Sequence, residues 1–150
     1  MVGDSVMVGA ANALRAALPG RAVHIDAAVA RPFAAAVPAL SQAAGLGATA
    51  AVLHLGTNGP MTDAAFDAAM QTVAGLPRVV VVTIQLPDAA YPHEAPTNDV
   101  IRRGAQRWGA VVADWNAATN GRPDLLAKDG YHVSPVGAPV YAQIVAAALR

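Results

Sequence analysis

The sequence predicts an α/β protein, a three-layer α/β/α sandwich around a five-stranded parallel sheet, and three observations lead there. Short apolar runs bounded by turn residues alternate with longer alanine-rich stretches of helical period. The apolar runs are hydrophobic at successive positions, as strands covered on both faces must be. The residues best suited to chemistry fall just after those runs, where open parallel sheets bind ligands.

Taken in order, strands are expected at Met1-Val2, Ala22-Ile25, Ala51-Leu55, Val79-Ile84 and Ala110-Asp114. Helices follow at about Val6-Ala17, Phe33-Ala44, Asp63-Ala74, Asn98-Trp108 and Pro139-Leu149. Phe66, Met70 and Val73, and likewise Ile101, Ala105 and Trp108, recur at i, i+4, i+7 and read as core-facing stripes. Right-handed crossovers then give the flavodoxin-like order 2-1-3-4-5, with the first strand central. That strand is truncated: only Met1 and Val2 precede Gly3, where a strand usually has about five residues. Sequence upstream of Met1 is therefore expected. Asn98 is read as a helix cap, and Pro139 as either a kink or a helix opener.

The 150 residues are enough for one core, and residues 1–150 are read as a single domain. Ten basic side chains balance ten acidic ones, so no net field favours nucleic acid or anionic lipid. Arg102, Arg103 and Arg107 form the one basic concentration and are read as a solvated helix face. The chain has no cysteine, which excludes disulfides and thiolate chemistry. The hydrophobic fraction of 55% reflects alanine, about a quarter of the chain. No membrane-spanning stretch is read: the uncharged run between Arg31 and Asp63 is interrupted by Pro32, Pro38, Gly45, Gly47, Gly56 and Gly59. No cofactor or metal is expected, because His24, His54, His93 and His132 show no ligand spacing; His54, inside a buried strand, is read as a hydrogen-bonded core residue.

Three segments carry the chemistry. Ser5, in Gly3-Asp4-Ser5-Val6, sits where a strand turns into a helix, which exposes its hydroxyl and places its backbone N–H at the positive helix end. A serine hydroxyl needs a base to become a nucleophile, and His132 is the candidate. Asp129, three residues earlier, can orient the imidazole and stabilise its cation. Asn58, in Gly56-Thr57-Asn58-Gly59, can aim its amide at a developing oxyanion alongside the N–H groups of Ser5 and Ala30. Taken singly, a helix cap, a turn and an Asn-Gly corner explain each segment; their common sheet edge argues for a site.

These blocks resemble those of the SGNH (GDSL-type) hydrolase superfamily. Gly3-Asp4-Ser5-Val6, Leu55-Gly56-Thr57-Asn58-Gly59 and Asp129-Gly130-Tyr131-His132 look like its blocks I, III and V, and Asp26-Ala27-Ala28-Val29-Ala30-Arg31 falls where block II belongs. Val112-Ala113-Asp114-Trp115 is similar to a strand of the branch associated with family 3 membrane acyltransferases, which modify cell-surface glycans. The resemblance implies an ester-handling enzyme with Ser5 as nucleophile, His132 as base, Asp129 as orienter and an oxyanion hole of Ser5, Ala30 and Asn58. It also implies an extracytoplasmic location. Gly56 and Thr57 are expected as substrate contacts, and Arg31 either contacts an anionic or polar acyl substrate or forms a surface ion pair. Ala30 departs from the pattern, which has glycine there, and a methyl group is harmless only at negative φ.

The leading expectation is a cofactor-free serine esterase acting on a small acyl ester, such as an O-acetylated sugar, through an acyl-enzyme on Ser5. An O-acyltransferase acting on a cell-surface glycan shares the same chemistry up to that intermediate. From a different class comes a non-catalytic glycan-binding domain that keeps only the fold. A dinucleotide site is disfavoured because Gly3-Asp4-Ser5-Val6-Met7-Val8-Gly9 lacks the G-x-G-x-x-G spacing.

Overall fold

A computed structural model describes residues 1–87 and 91–150 of the chain. Its sheet is parallel and five-stranded, in the order β2-β1-β3-β4-β5, with β1 at Val2–Gly3, β2 at Asp26–Ala27, β3 at Ala50–His54, β4 at Arg78–Val82 and β5 at Val111–Ala113. The expected strand order holds.

Successive residues of a strand face opposite sides, and each side of the sheet has its own core. Ala51, Leu53 and Val81 pack with Phe33, Leu40, Phe66, Met70 and Ile101. Those residues belong to or adjoin α2 (Ala36–Ala44), α3 (Asp63–Val73) and α4 (Glu94–Trp108). Val52, Val80 and Val82 face the other way, toward Met7, Leu14, Trp115, Tyr141 and Val145 of α1 (Ser5–Ala17), α5 (Trp115–Thr119) and α6 (Gly137–Ala148). Helices on both faces complete the three layers. No helix among the described residues is long and apolar enough to cross a membrane.

Several boundaries depart from the sequence reading. β2 lies at Asp26–Ala27 instead of Ala22-Ile25, because the short β1 offers only Val2 and Gly3 as partners, opposite Asp26 and Ala27. On its other side β1 meets only Leu53 and His54 of β3. Beyond its start, at the end of the sheet away from Ser5, a cavity of about 760 Å³ opens among Met1, Val23, Leu40, Ala50 and Leu149.

Asn98, expected to cap a helix, lies inside α4 instead, which begins at Glu94 and carries Pro96 in its first turn, where a missing N–H costs nothing. Buried there, the Asn98 side chain clips the backbone of Ile84, accepting from its N–H at 2.8 Å and donating to its carbonyl at 2.9 Å. Pro139 sits in the first turn of α6, which opens at Gly137; a Cβ on Gly137 would collide with the Leu125 carbonyl. The basic face of α4 pairs with acids: Arg103 reaches Asp63 at 3.1 Å, Arg107 reaches Asp67 at 2.8 Å, and Arg102 reaches Asp114 at 3.1 Å. Exposed as they are, such pairs add little to stability.

Candidate active site

Ser5 is the first residue of α1, and its position is set by Asp4, whose buried carboxylate accepts from the N–H of Val6 at 3.0 Å and caps the helix. The Asp4 N–H in turn donates to the carbonyl of His54 at 3.2 Å, tying this corner to β3. Beneath it lies the fully buried His54, with Nδ1 at 2.7 Å from the Tyr141 hydroxyl. Burial pushes the His54 imidazole below its ordinary pKa, opposed by the nearby Asp4 carboxylate. As the sequence reading proposed, His54 is a core residue.

The segment carrying Asp129 and His132 is closed on itself by its own backbone. The Ala127 N–H donates to the His132 carbonyl at 2.8 Å and the Ser134 N–H to that of Leu125 at 2.9 Å. Gly130 turns the chain at φ 81°, a region favouring glycine. One oxygen of Asp129 accepts the N–H groups of Tyr131 and His132, both at 3.1 Å. The other lies 2.8 Å from His132 Nδ1, and His132 Nε2 lies 2.9 Å from Ser5 Oγ. An ionised carboxylate only accepts, so the proton belongs on Nδ1 and the Nε2 lone pair faces the serine hydroxyl. Burial would raise the Asp129 carboxyl, but hydrogen bonds from the His132 ring and from the N–H groups of His132 and Tyr131 outweigh it and hold the group below the usual carboxylate range.

Asn58 is exposed at the same rim, with its amide donating to the Arg31 carbonyl at 3.3 Å. Ala30 is also exposed, at φ 57°, and is the non-glycine residue in the left-handed region among those described. The condition under which its methyl group would be harmless is not met. Of the two roles open to Arg31, a substrate contact or an ion pair, the structure forms the pair with Asp26: Nη2 meets its carboxylate at 2.5 Å and Nη1 its carbonyl at 2.7 Å. Gly56 and Thr57 are buried rather than open to a ligand. Gly56 adopts φ 125°, and a Cβ there would come within 2.8 Å of Thr97.

An aromatic group beside the imidazole escaped the sequence reading. The Tyr131 ring lies 4.3 Å from that of His132, and Tyr91 meets Tyr131 edge-on at 6.0 Å. Tyr91 and Tyr131 are both half-buried. Nothing local in the sequence brings them together, since they come from different loops. Among the described residues no cluster of histidine and acidic side chains could hold a metal ion.

This architecture recurs in known proteins. The C-terminal catalytic domain of the Streptococcus pneumoniae peptidoglycan O-acetyltransferase A, solved with a methylsulfonyl adduct, superposes with a TM-score of 0.84 at 25% identity, over 99% of this chain and 89% of that one. A lipase/acylhydrolase from Enterococcus faecalis gives 0.77 at 17% identity, over 97% and 92%. The fold is that of the SGNH hydrolases. In sequence, this SGNH-like chain is 28% identical to the peptidoglycan O-acetyltransferase OatA of Listeria monocytogenes over 99% of this chain and 23% of that protein. It is 28% identical to the O-acetyltransferase OatA of Staphylococcus aureus over 97% of this chain and 24% of that protein. The chain thus spans about a quarter of the length of these curated relatives. No family profile matches it. Relatives that are O-acetyltransferases and SGNH hydrolases support a serine hydrolase or a related acyltransferase.

Proposed function

We propose that this chain is an acyl-transferring serine enzyme of SGNH type that moves a small acyl group, acetyl above all, between an ester and a glycan hydroxyl. The continuous chain of hydrogen bonds from Ser5 through His132 to Asp129 carries the reading. Ser5 Oγ attacks the acyl carbonyl while His132 Nε2 accepts its proton. The tetrahedral oxyanion is stabilised by the Ser5 N–H, by the second N–H of the Asn58 amide and by the Ala30 N–H. Collapse expels the alcohol, which takes the proton from His132 and leaves the acyl group on Ser5. An incoming hydroxyl then gives its proton to His132 and attacks the ester carbon, and collapse releases Ser5 Oγ, which takes that proton back from His132.

The likeness to peptidoglycan O-acetyltransferases favours a sugar hydroxyl as the acceptor and an extracytoplasmic setting, where such glycans lie. Water in the acceptor's place makes the same site an esterase. The half-buried Tyr91 and Tyr131 beside His132 suit a pyranose ring, whose apolar face packs on aromatic surfaces. In the test, a fluorogenic acetyl ester is turned over with and without a chito-oligosaccharide, and a sulfonyl fluoride adduct is mapped by peptide mass. Labelling of Ser5 together with acetylated oligosaccharide as product supports transfer, while acetate alone supports the esterase. No adduct on Ser5 and no turnover would favour a glycan-binding domain that only keeps the fold.

A further inference from the structure

The turn after β2 connects a salt bridge to the proposed oxyanion hole. Arg31 and Asp26 are five residues apart, and their side chains are 15% and 28% exposed, so solvent competes little for the pair. Two guanidinium nitrogens hold one residue, Nη2 its carboxylate and Nη1 its carbonyl. That double hold closes the intervening segment into a turn in which the Arg31 N–H donates to the Ala28 carbonyl at 3.4 Å and Ala30 is held at φ 57°. On the strand side the same turn is anchored by the Ala28 N–H, which donates to the Gly3 carbonyl at 3.2 Å, two residues before Ser5. On its outer side the Arg31 carbonyl receives one N–H of the Asn58 amide. A primary amide has two N–H groups. Binding one of them to a fixed carbonyl sets the direction of the other.

We infer that Asp26 and Arg31 are positioning residues of the oxyanion hole: their ion pair holds the 28–31 turn, and the Arg31 carbonyl orients the Asn58 amide toward the reacting centre. The inference rests on the proposed acyl-transfer reading. It assigns Arg31 a task different from gripping substrate, because its charge is already satisfied by Asp26. Donors that are fixed before the reaction stabilise an oxyanion more than donors that must reorient.

The test is steady-state turnover of p-nitrophenyl acetate, a small neutral ester, by Arg31→Met, Asp26→Asn and Arg31→Lys, each made both in the native chain and in an Asn58→Ala background. In the native background Arg31→Met and Asp26→Asn are expected to lower kcat about 10- to 100-fold, part of the ~100- to 1,000-fold effect of losing a donor, with KM changed less than twofold. Arg31→Lys should recover part of the rate. In the Asn58→Ala background the same substitutions should lower kcat by no more than about threefold, since the amide they orient is gone and only the Ala30 N–H of the loosened turn is left to shift. An equal fall in kcat in both backgrounds would overturn the inference in favour of a general structural role, and so would a rise in KM alone, which marks a substrate contact. Should Arg31→Met fail to fold, Asp26→Asn and Arg31→Lys answer the same question. Full activity in Ser5→Ala would instead sink the acyl-enzyme reading and leave the cycle to be judged by its own additivity.

Discussion

His132 Nε2 lies 2.9 Å from Ser5 Oγ, although the two residues are 127 positions apart in the chain. The contact joins the helix start after β1 to a loop fixed by its own backbone hydrogen bonds, so the hydroxyl and its base are held by separate elements. Asp129 completes the line at 2.8 Å. Substituting Asp129→Asn keeps the size of the side chain but removes the charge and reverses the hydrogen bond that selects the imidazole tautomer. Turnover of an acetyl ester is expected to fall roughly 1,000- to 10,000-fold, with the far-ultraviolet circular dichroism unchanged.

The lowered pKa of Asp129 fixes the sign of its pH effect. Its carboxyl loses its proton more readily in the folded protein than in the unfolded chain. The stabilisation is therefore fully present above ordinary carboxylate titration, near pH ~4, and is lost as pH falls through the folded value. Carbon-detected NMR titration of Asp129 should show its midpoint below that of a free aspartate; a midpoint above it would contradict the hydrogen bonds described.

Ala30 at φ 57° is strained, because the left-handed region costs an L-residue about 1–2 kcal/mol. Ala30→Gly removes that cost but adds about 0.4–1 kcal/mol of unfolded-chain entropy. The net expectation is a gain of about 0.5 kcal/mol, read in the denaturation midpoint, with turnover preserved because the same backbone N–H remains. Ala30→Val brings a β-branched side chain into the same conformation and should lose at least about 1 kcal/mol.

The parts of the molecule legible in the sequence are those written as contiguous signals. Strand order and the edge that gathers Ser5, Asn58, Asp129 and His132 follow from where turn residues interrupt apolar runs. What escaped depends on pairing between distant residues. β2 is displaced because its register is set by the two residues of β1, not by the apolarity of Ala22-Ile25. For Arg31 the sequence leaves a substrate contact and an ion pair both open, because its partner Asp26 becomes a neighbour only once the turn has closed. Asn98 carried the composition of a cap, yet its partner, Ile84, lies 14 residues back on the far side of a loop.

Asn98 accordingly offers a stability test independent of the active site. Asn98→Ala leaves the buried N–H and carbonyl of Ile84 without partners, at about 1–3 kcal/mol each. With some water entry, a total loss of about 2–4 kcal/mol is expected in chemical denaturation. A loss below about 1 kcal/mol would mean that the β4–α4 loop finds other hydrogen bonds.

Tyr131 separates the ester chemistry from the glycan. Its ring stands between those of His132 and Tyr91, beside the reacting pair instead of within it. A small activated ester need not touch that surface, whereas a sugar acceptor packed on it must. Tyr131→Leu keeps bulk and apolarity but removes the flat ring. It should leave kcat for p-nitrophenyl acetate within about threefold while lowering kcat/KM for transfer to an oligosaccharide about 10-fold or more, the scale of one aromatic contact of ~0.5–1.5 kcal/mol plus its buried area. Equal losses on both substrates would show that the ring serves to seat His132, and the aromatic surface would then no longer argue for a carbohydrate acceptor.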